Sequence, residues 1–309
     1  MSKIYKYFPN DVLEIVFQKD GLCGLKCSFP KDYNDPFELF LSIDLTVTPD
    51  VLAFYNDVVQ DIPQLPTTCF SNSPTVTPMW AHYADNQTGF VLEFDTDKLR
   101  QFSDDVMLEN VSYRNKPKKG LSSTLYHAAG TKKPRHSYFL TRAVFHSAYF
   151  TKTKEWSYEK ECRLVATKEL IEIASGIQLL FVPLEVLSSL VVGPNFPQQK
   201  IELSQGIAKA KGLDWYQLRI GKSSRIPFME NQDGEPSIFF GNKITLADRH
   251  CKNCREPISD SESLCPWCKI TQLDKLQAAR TNPFRILDAF GQLEDYIRGA
   301  DEIGKKYRS

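Results

Sequence analysis

The chain lacks several features that would name a function at once. It has no excess of charge: Lys and Arg together number 38, as do Asp and Glu, so the formal net charge is zero. A protein that coats nucleic acid at large draws its affinity from surplus positive charge, so that class is disfavoured. No stretch of about 18 apolar residues is present, which excludes a membrane-spanning helix. Met1-Ser2-Lys3-Ile4-Tyr5 runs directly into a strand-like pattern, without the apolar segment of a secretory leader. There is no Gly-rich phosphate loop of the Walker type, no Gly-x-Gly-x-x-Gly and no serine nucleophile elbow. No internal repeat is found.

The 309 residues suffice for one large domain or two, and 42% hydrophobic content supports a packed core. The most specific feature is Cys251-x-x-Cys254 followed, ten residues later, by Cys265-x-x-Cys268. Each pair fits a tight turn that aims two thiolates at one ion, and four thiolates in a tetrahedron suit Zn²⁺. The intervening Arg255 to Leu264 holds Pro257 and the polar run Ser259-Asp260-Ser261-Glu262-Ser263. Such a loop has no core of its own, so the metal would supply the folding energy. The competing readings are two disulfides, or another thiolate-bound metal such as iron. The other cysteines, Cys23, Cys27, Cys69 and Cys162, mostly have apolar neighbours and read as buried free thiols. With the zinc site, they predict a reducing, cytoplasmic setting.

Residues 1–220 read as one α+β domain, a mixed sheet with a central cleft. Strands are expected at Ile4–Tyr7, Leu25–Phe29, Thr67–Ser71, Phe90–Phe94, Val106–Tyr113, Cys162–Ala166, Gln178–Val182, Leu190–Val192 and Trp215–Ile220. Helices are expected from an Asp11 cap to Lys19, at Pro49–Asp61, Met79–Asp85, Thr141–Phe150, Leu184–Ser188 and Gln198–Lys211. Short strands among short helices, with no regular βαβ alternation, argue against a doubly wound sheet. Residues 114–137 read as a basic, mobile loop. Lys116-Pro117-Lys118-Lys119 and Lys132-Lys133-Pro134-Arg135-His136 there are either a local basic patch or a solvated loop. Residues 221–249 read as a linker, 250–270 as the zinc ribbon and 271–309 as a C-terminal helical segment. In that segment Ile286, Leu287, Phe290, Leu293 and Ile297 recur at three- and four-residue spacing.

Four clusters in the large domain carry chemistry-bearing residues. They are Tyr5-Lys6-Tyr7, then Tyr33-Asn34-Asp35-Pro36-Phe37-Glu38, then Thr68-Cys69-Phe70-Ser71 with Met79-Trp80-Ala81-His82-Tyr83-Ala84 and Gly89 to Asp95, and finally Trp156-Ser157-Tyr158-Glu159-Lys160-Glu161-Cys162-Arg163. In this order the motifs resemble an uncharacterised bacterial family of unknown function. Its members carry an aromatic-rich first strand, an Asn-Asp-Pro-Phe-Glu turn, a Cys-Phe-Ser strand end, Met-Trp-x-His-Tyr-Ala and Trp-x-x-Glu-x-Glu-x-Arg. The zinc ribbon stands outside that shared region.

More remotely, the arrangement is similar to ADP-ribosyltransferases, which split NAD between two small sheets. The chain departs from them in having no Arg or His on the first strand and no Ser-Thr-Ser at Ser71. The resemblance implies NAD as substrate, with Glu161 stabilising the ribosyl cation and Glu159 orienting or deprotonating the acceptor. Tyr5, Tyr7 and Tyr83 would line the nicotinamide pocket. Ser71, Asn34 and His82 would contact the nucleotide. Cleaving the nicotinamide–ribose bond builds oxocarbenium character, which a carboxylate stabilises. On a strand, residues 159 and 161 share a face, and so does Arg163, the expected counter-ion. A free-standing protein of this kind is expected to be a toxin or anti-phage effector. Its acceptor, whether protein, DNA, RNA or water, is left open.

Each element also has a plainer reading. Glu159-Lys160-Glu161 fits an exposed strand end, Trp80 and Tyr83 fit packing, His82 a structural histidine and Asn34-Asp35-Pro36 an ordinary turn. The rival functions are a metal-dependent nuclease, drawing on Asp35, Glu38, Glu93, Asp95, Glu159 and Glu161, and a non-catalytic module whose zinc ribbon docks a protein or nucleic acid.

Overall fold

A computed structural model describes residues 2–33, 43–60, 62–118, 120–174, 176–259 and 262–306. The chain divides into two compact units. One comprises Met1–Ile220 with Ile226–Ala247, the other Gly221–Arg225 with Asp248–Ser309. No described helix is long and apolar enough to cross a membrane.

The first unit opens with strands β1 (Lys3–Phe8) and β2 (Leu22–Cys27), followed by helix α1 (Pro49–Gln60), β3 (Thr67–Ser71), α2 (Thr77–Tyr83), β4 (Phe90–Asp95) and α3 (Thr96–Gln101). Next come β5 (Val106–Asn110), β6 (Ser112–Tyr113), the hairpin of α4 (Leu121–Thr131) and α5 (Pro134–Phe150), β7 (Thr151–Lys152) and β8 (Glu161–Ala166). The unit continues through β9 (Ile171–Ala174), β10 (Ile177–Pro183), β11 (Leu187–Val192), α6 (Ile201–Lys211) and β12 (Asp214–Arg219). Its last strands are β13 (Phe228–Asn231), β14 (Pro236–Phe240) and β15 (Lys243–Leu246). Among the described residues the main sheet has ten strands in the order β15-β14-β13-β12-β11-β4-β1-β3-β8-β5. It is mixed: β11 and β12 run parallel, and the other neighbours whose pairing is resolved run antiparallel. The α+β expectation thus stands.

The pleat sorts the sheet into two unlike faces. Ile4, Phe8, Phe70, Phe90, Leu92, Phe94, Leu164 and Leu190 belong to one apolar cluster, which also takes Cys23 and Leu25 from β2 and Leu180 and Val182 from β10. This is sheet packed on sheet, because β2, β10 and β9 form a separate three-stranded layer. On the opposite face α2 brings Met79 and Trp80 against Tyr5, Tyr7, Val91 and Val191. Further along that face, residues of α1, α4 and α5 gather around Val165. The expected central cleft is therefore filled, since Tyr5 and Trp80 are 0% and 1% exposed.

Four elements of the first unit differ from expectation. The helix expected at Leu184–Ser188 is a 3-10 turn at Leu184–Val186 that runs into β11. The supposed linker holds β13, β14 and β15; Gly234, and Gly241 with Asn242, sit in the turns between them with positive φ. The supposed mobile loop holds α4 and the start of α5, because Leu121, Leu125 and Ala128 form a buried helical stripe. The Asp11 helix is replaced by two 3-10 turns at Asn10–Val12 and Ile15–Phe17, which suffice to bury Val16 and Phe17.

The second unit carries α7 (Pro266–Lys269), α8 (Gln272–Thr281), α9 (Pro283–Ala289) and α10 (Leu293–Lys306). Thr271 and Asp274 form a capping box at α8. The spaced series from Ile286 to Ile297 does not lie on one helix: the chain breaks at Gly291, whose φ of +67° closes α9.

Candidate functional site

Residues of five adjacent strands align in one row across the aromatic face. Ser189 of β11 pairs with Glu93 of β4, Glu93 with Tyr5 of β1, Tyr5 with Ser71 of β3, and Ser71 with Glu161 of β8. All five are buried. Burying charge is costly unless it is paired, and each carboxylate of the row has a partner in it or beside it. Glu93 accepts from Ser189 Oγ at 3.2 Å and lies 3.8 Å from Lys3 Nζ. Glu161 accepts from Arg163 Nε at 2.7 Å and Nη2 at 3.1 Å. Arg163 is itself held by the Tyr149 carbonyl at 2.8 Å and lies over the Tyr33 ring.

Glu159 joins Glu161 by a different route from the one expected. It closes a 3-10 helix, Lys154–Glu159, and is not in a strand. Lys160 follows in the left-handed conformation, at φ 47° and ψ 47°, and turns the chain into β8. The convergence of the two carboxyls thus comes from this turn and not from the pleat. The turn is fastened to the end of β3: Ser71 Oγ donates to the Glu159 carbonyl at 2.6 Å, and Asn72 N and Nδ2 each donate to the Lys160 carbonyl at 2.8 Å. Lys152 of β7 stands between the carboxylates, with Nζ 2.7 Å from Glu159 Oε2 and 3.4 Å from Glu161 Oε2. Its ammonium also lies 4.5 Å from the Trp156 ring centroid. Tyr83 donates to Glu159 Oε1 at 2.6 Å.

The two carboxyls are driven apart electrostatically. Burial opposes the charge of Glu161, but Arg163 and Lys152 outweigh it and bring the pKa down to about 2. Burial dominates at Glu159 and raises its pKa, with Lys152 and Tyr83 opposing. Lys152 is raised: burial disfavours its charge, and Glu161 and Glu159 more than compensate. Two neighbouring carboxyls with opposite shifts form the pattern of an acid–base pair.

Of the expected residues, Tyr83, Glu159, Glu161 and Ser71 come together. Ser71 is fully buried and shapes the turn. Tyr7 donates to the Ser73 carbonyl at 2.9 Å and packs edge-on to Trp80. Tyr5 is buried beside Glu93, and burial first, then that charge, raises its pKa. His82 is exposed, with its ring 6.3 Å from those of Tyr83 and Tyr158. Half-buried Tyr83, Tyr158 and Trp156 complete an aromatic rim at Glu159. Asn34, with Asp35 and Glu38, lies outside the described residues. Lys152 was missed, and nothing in Thr151-Lys152-Thr153-Lys154 separates it from exposed Lys154. Tyr113, whose hydroxyl oxygen accepts from Glu161 N at 2.7 Å, was also missed.

The second unit presents the four cysteines. The Sγ atoms of Cys251, Cys254, Cys265 and Cys268 lie within 4.8 Å of one another, and those of Cys254 and Cys265 are 3.7 Å apart. A Zn–S bond of about 2.3 Å sets tetrahedral S···S edges near ~3.8 Å, so the donor set fits the ion. All eight cysteines are free, which removes the disulfide reading. Burial opposes charge on Cys251, yet backbone N–H donors from Cys254, Cys265 and Asn253 bring its pKa to about 6. Cys268 is pushed up to about 12, first by its hydrogen bond with Cys265. A dication would let all four ionise.

The module is discontinuous in sequence. Glu256, 2% exposed, accepts from the backbone N–H of Lys222, Ser223 and Ser224 at 2.8–3.0 Å. Trp267 Nε1 donates to the Lys222 carbonyl at 2.8 Å. A Cβ on Gly221 would meet Glu256 Oε1 at 2.2 Å, so a larger residue would have to displace Glu256 from the N–H groups it holds.

A family described as "Protein of unknown function (DUF2971)" matches residues 79–164, a little over a quarter of the chain. The match runs from α2 to β8 and contains Tyr83, Lys152, Glu159, Glu161 and Arg163. It stops well short of the cysteines. No curated protein and no solved structure matches the chain.

Proposed function

We propose that the first unit is an enzyme acting at a nucleotide's ribosyl bond, with NAD as substrate and ADP-ribosyl transfer as the reaction. The observation that carries this reading is the opposed pair: Glu159 with its pKa raised at an aromatic rim, and Glu161 fixed as a carboxylate behind it. In the proposed step the C1′–N bond breaks, its electron pair leaves with nicotinamide, and the acceptor nucleophile bonds to C1′. The acceptor's proton passes to the Glu159 carboxylate. Tyr83 aims that carboxylate, and Lys152 and Glu161 set its basicity. Tyr158, Trp156 and His82 offer flat surfaces for a base or nicotinamide ring. Tyr5, Tyr7 and Ser71 support the site from beneath.

The test is nicotinamide release, and label transfer from labelled NAD to protein and nucleic-acid fractions of a lysate. Glu159→Gln keeps the shape and removes the base, so release is expected to fall at least a hundredfold while circular dichroism shows the fold retained. Expression of the wild type in a bacterial host is expected to slow growth, as for a toxin or anti-phage effector, and the Glu159→Gln form is not. No NAD binding by calorimetry and no nicotinamide release would overturn the reading.

A second reading is a binding module without catalysis. It is favoured by the fact that Glu93, Glu159 and Glu161 each have a partner, as in a structural brace. Under it, Glu159→Gln leaves every measured property but stability unchanged. Nucleic-acid cleavage that requires added Mg²⁺ or Mn²⁺ would instead support the nuclease.

A further inference from the structure

Residues 111–154 contain ten Lys and Arg and no Asp or Glu, in a chain whose net charge is zero. Lys152 is absorbed by Glu159 and Glu161. Much of the remainder lies on or beside the α4–α5 hairpin. Lys132, Lys133, Arg135 and Arg142 are exposed there, and among the described residues none of them has a carboxylate partner. Nearby acids are few: Glu109 is taken by His146 at 2.7 Å, and α1, packed alongside, carries Asp50 and Asp57.

The same hairpin exposes aromatic rings. Tyr126, Tyr138 and Phe139 are 48%, 61% and 60% exposed. Tyr138 and Phe139 lie 5.9 Å apart in an edge-on pair. Beside them Ser123, Thr124, His127, His136 and Phe139 line a shallow depression, with the two imidazoles 4.3 Å apart. Apolar rings in water are unfavourable, and unpaired cations repel one another. A partner with negative charge and flat apolar faces at regular spacing relieves both, and a single-stranded nucleic acid has that chemistry.

We infer that the α4–α5 hairpin binds single-stranded nucleic acid, with Lys132, Lys133, Arg135 and Arg142 on the phosphates and Tyr138 and Phe139 under the bases. The inference is independent of the ribosyl-bond reading: Glu159→Gln protein keeps its oligonucleotide affinity.

The experiment is fluorescence anisotropy of the full chain with a labelled 20-nucleotide single strand across a salt series. The Lys132→Ala/Lys133→Ala/Arg135→Ala protein is expected to bind at least tenfold more weakly. Its slope of log affinity against log salt is expected to be shallower by about 0.7 per lost phosphate contact. Tyr138→Ala/Phe139→Ala is expected to weaken binding roughly tenfold per ring with the slope unchanged. All five side chains are exposed or at the surface, so unchanged melting temperatures confirm folding. Undetectable binding at low salt would overturn the inference, as would wild-type affinity in both variants. Equal affinity for a duplex, insensitive to ring removal, would overturn the single-strand assignment. Loss of binding only in Cys254→Ser would place the nucleic acid on the zinc module instead.

Discussion

The two units neutralise buried charge in opposite ways. In the first, Glu159 and Glu161 meet Lys152 and Arg163, all four side chains being nearly sealed from solvent. Protein supplies both signs, and the brace is complete as soon as β7, β8 and the Lys160 turn are in place. In the second, four thiols converge within 4.8 Å; backbone N–H donors leave Cys251 with a lowered pKa, and the hydrogen bond with Cys265 leaves Cys268 with a raised one. A dication from outside would supply the countercharge that lets all four ionise. The contrast follows from size. A small segment without a core cannot position a lysine against each thiolate, whereas a ten-stranded sheet can hold two cations in register with two carboxylates.

Metal removal tests the contrast most severely. Chelation, or Cys254→Ser, is expected to cost the second unit on the order of 10 kcal/mol. Limited proteolysis of the full chain should then cut within 248–270 while Met1–Ile220 survives. One zinc per chain should be found by elemental analysis. If chelation leaves 248–270 protected, the second unit carries its own countercharge and the comparison collapses.

Next in size is Arg163→Ala, which leaves Glu161 buried beside Lys152 alone. A loss of about 3–5 kcal/mol is expected by urea denaturation of the first unit. The same pair has a pH signature. The pKa of Glu161 is lowered from 4.5 to about 2 on folding, so its contribution is fully present above 4.5 and is lost as pH falls towards 2. That contribution is on the order of 3 kcal/mol. Glu159 has the opposite sign: its raised pKa favours folding at low pH and weakens the fold as pH rises above 4.5. Urea midpoints of Glu159→Gln should therefore lack that decline, and those of Arg163→Ala should lack much of the acid loss.

Smaller still is Glu256→Ala, which strips the partner from three backbone N–H groups. About 1–3 kcal/mol is expected, read as faster hydrogen exchange at 222–224 in the metal-loaded protein. The smallest effect is expected at Lys160, whose left-handed φ of 47° would suit glycine better. Lys160→Gly should change the stability of the first unit by about 1 kcal/mol or less, towards greater stability. A large loss would mean that the Lys160 side chain, and not the turn, holds the carboxyls together.

Local sequence was enough for much of this. Thr67–Ser71 and Phe90–Asp95 are legible as short runs rich in β-branched, aromatic and apolar residues, the mark of strands buried on both faces. The CxxC spacing singled out the four thiols that converge, because two tight turns can bring them together with little help from the rest of the chain. Arg163 was also legible, since a β-strand places it two residues from Glu161 on the same face. Strands β13, β14 and β15 were hidden because four- and five-residue strands separated by glycine turns have too little periodicity to stand out from a linker.

What only the tertiary structure decided is which residues face one another. The row Ser189–Glu93–Tyr5–Ser71–Glu161 draws on five strands between residues 3 and 192. Its register depends on pairings that no local pattern encodes. Lys152 becomes a counter-ion, and Lys154 does not, because of where β7 ends. The loop at 221–225 joins the cysteine module because Gly221 lacks a Cβ where Glu256 closes in. Sequence fixes what each short segment can form by itself; partners far apart along the chain meet only when the sheet assembles, because their pairing free energy appears only once water has been excluded between them.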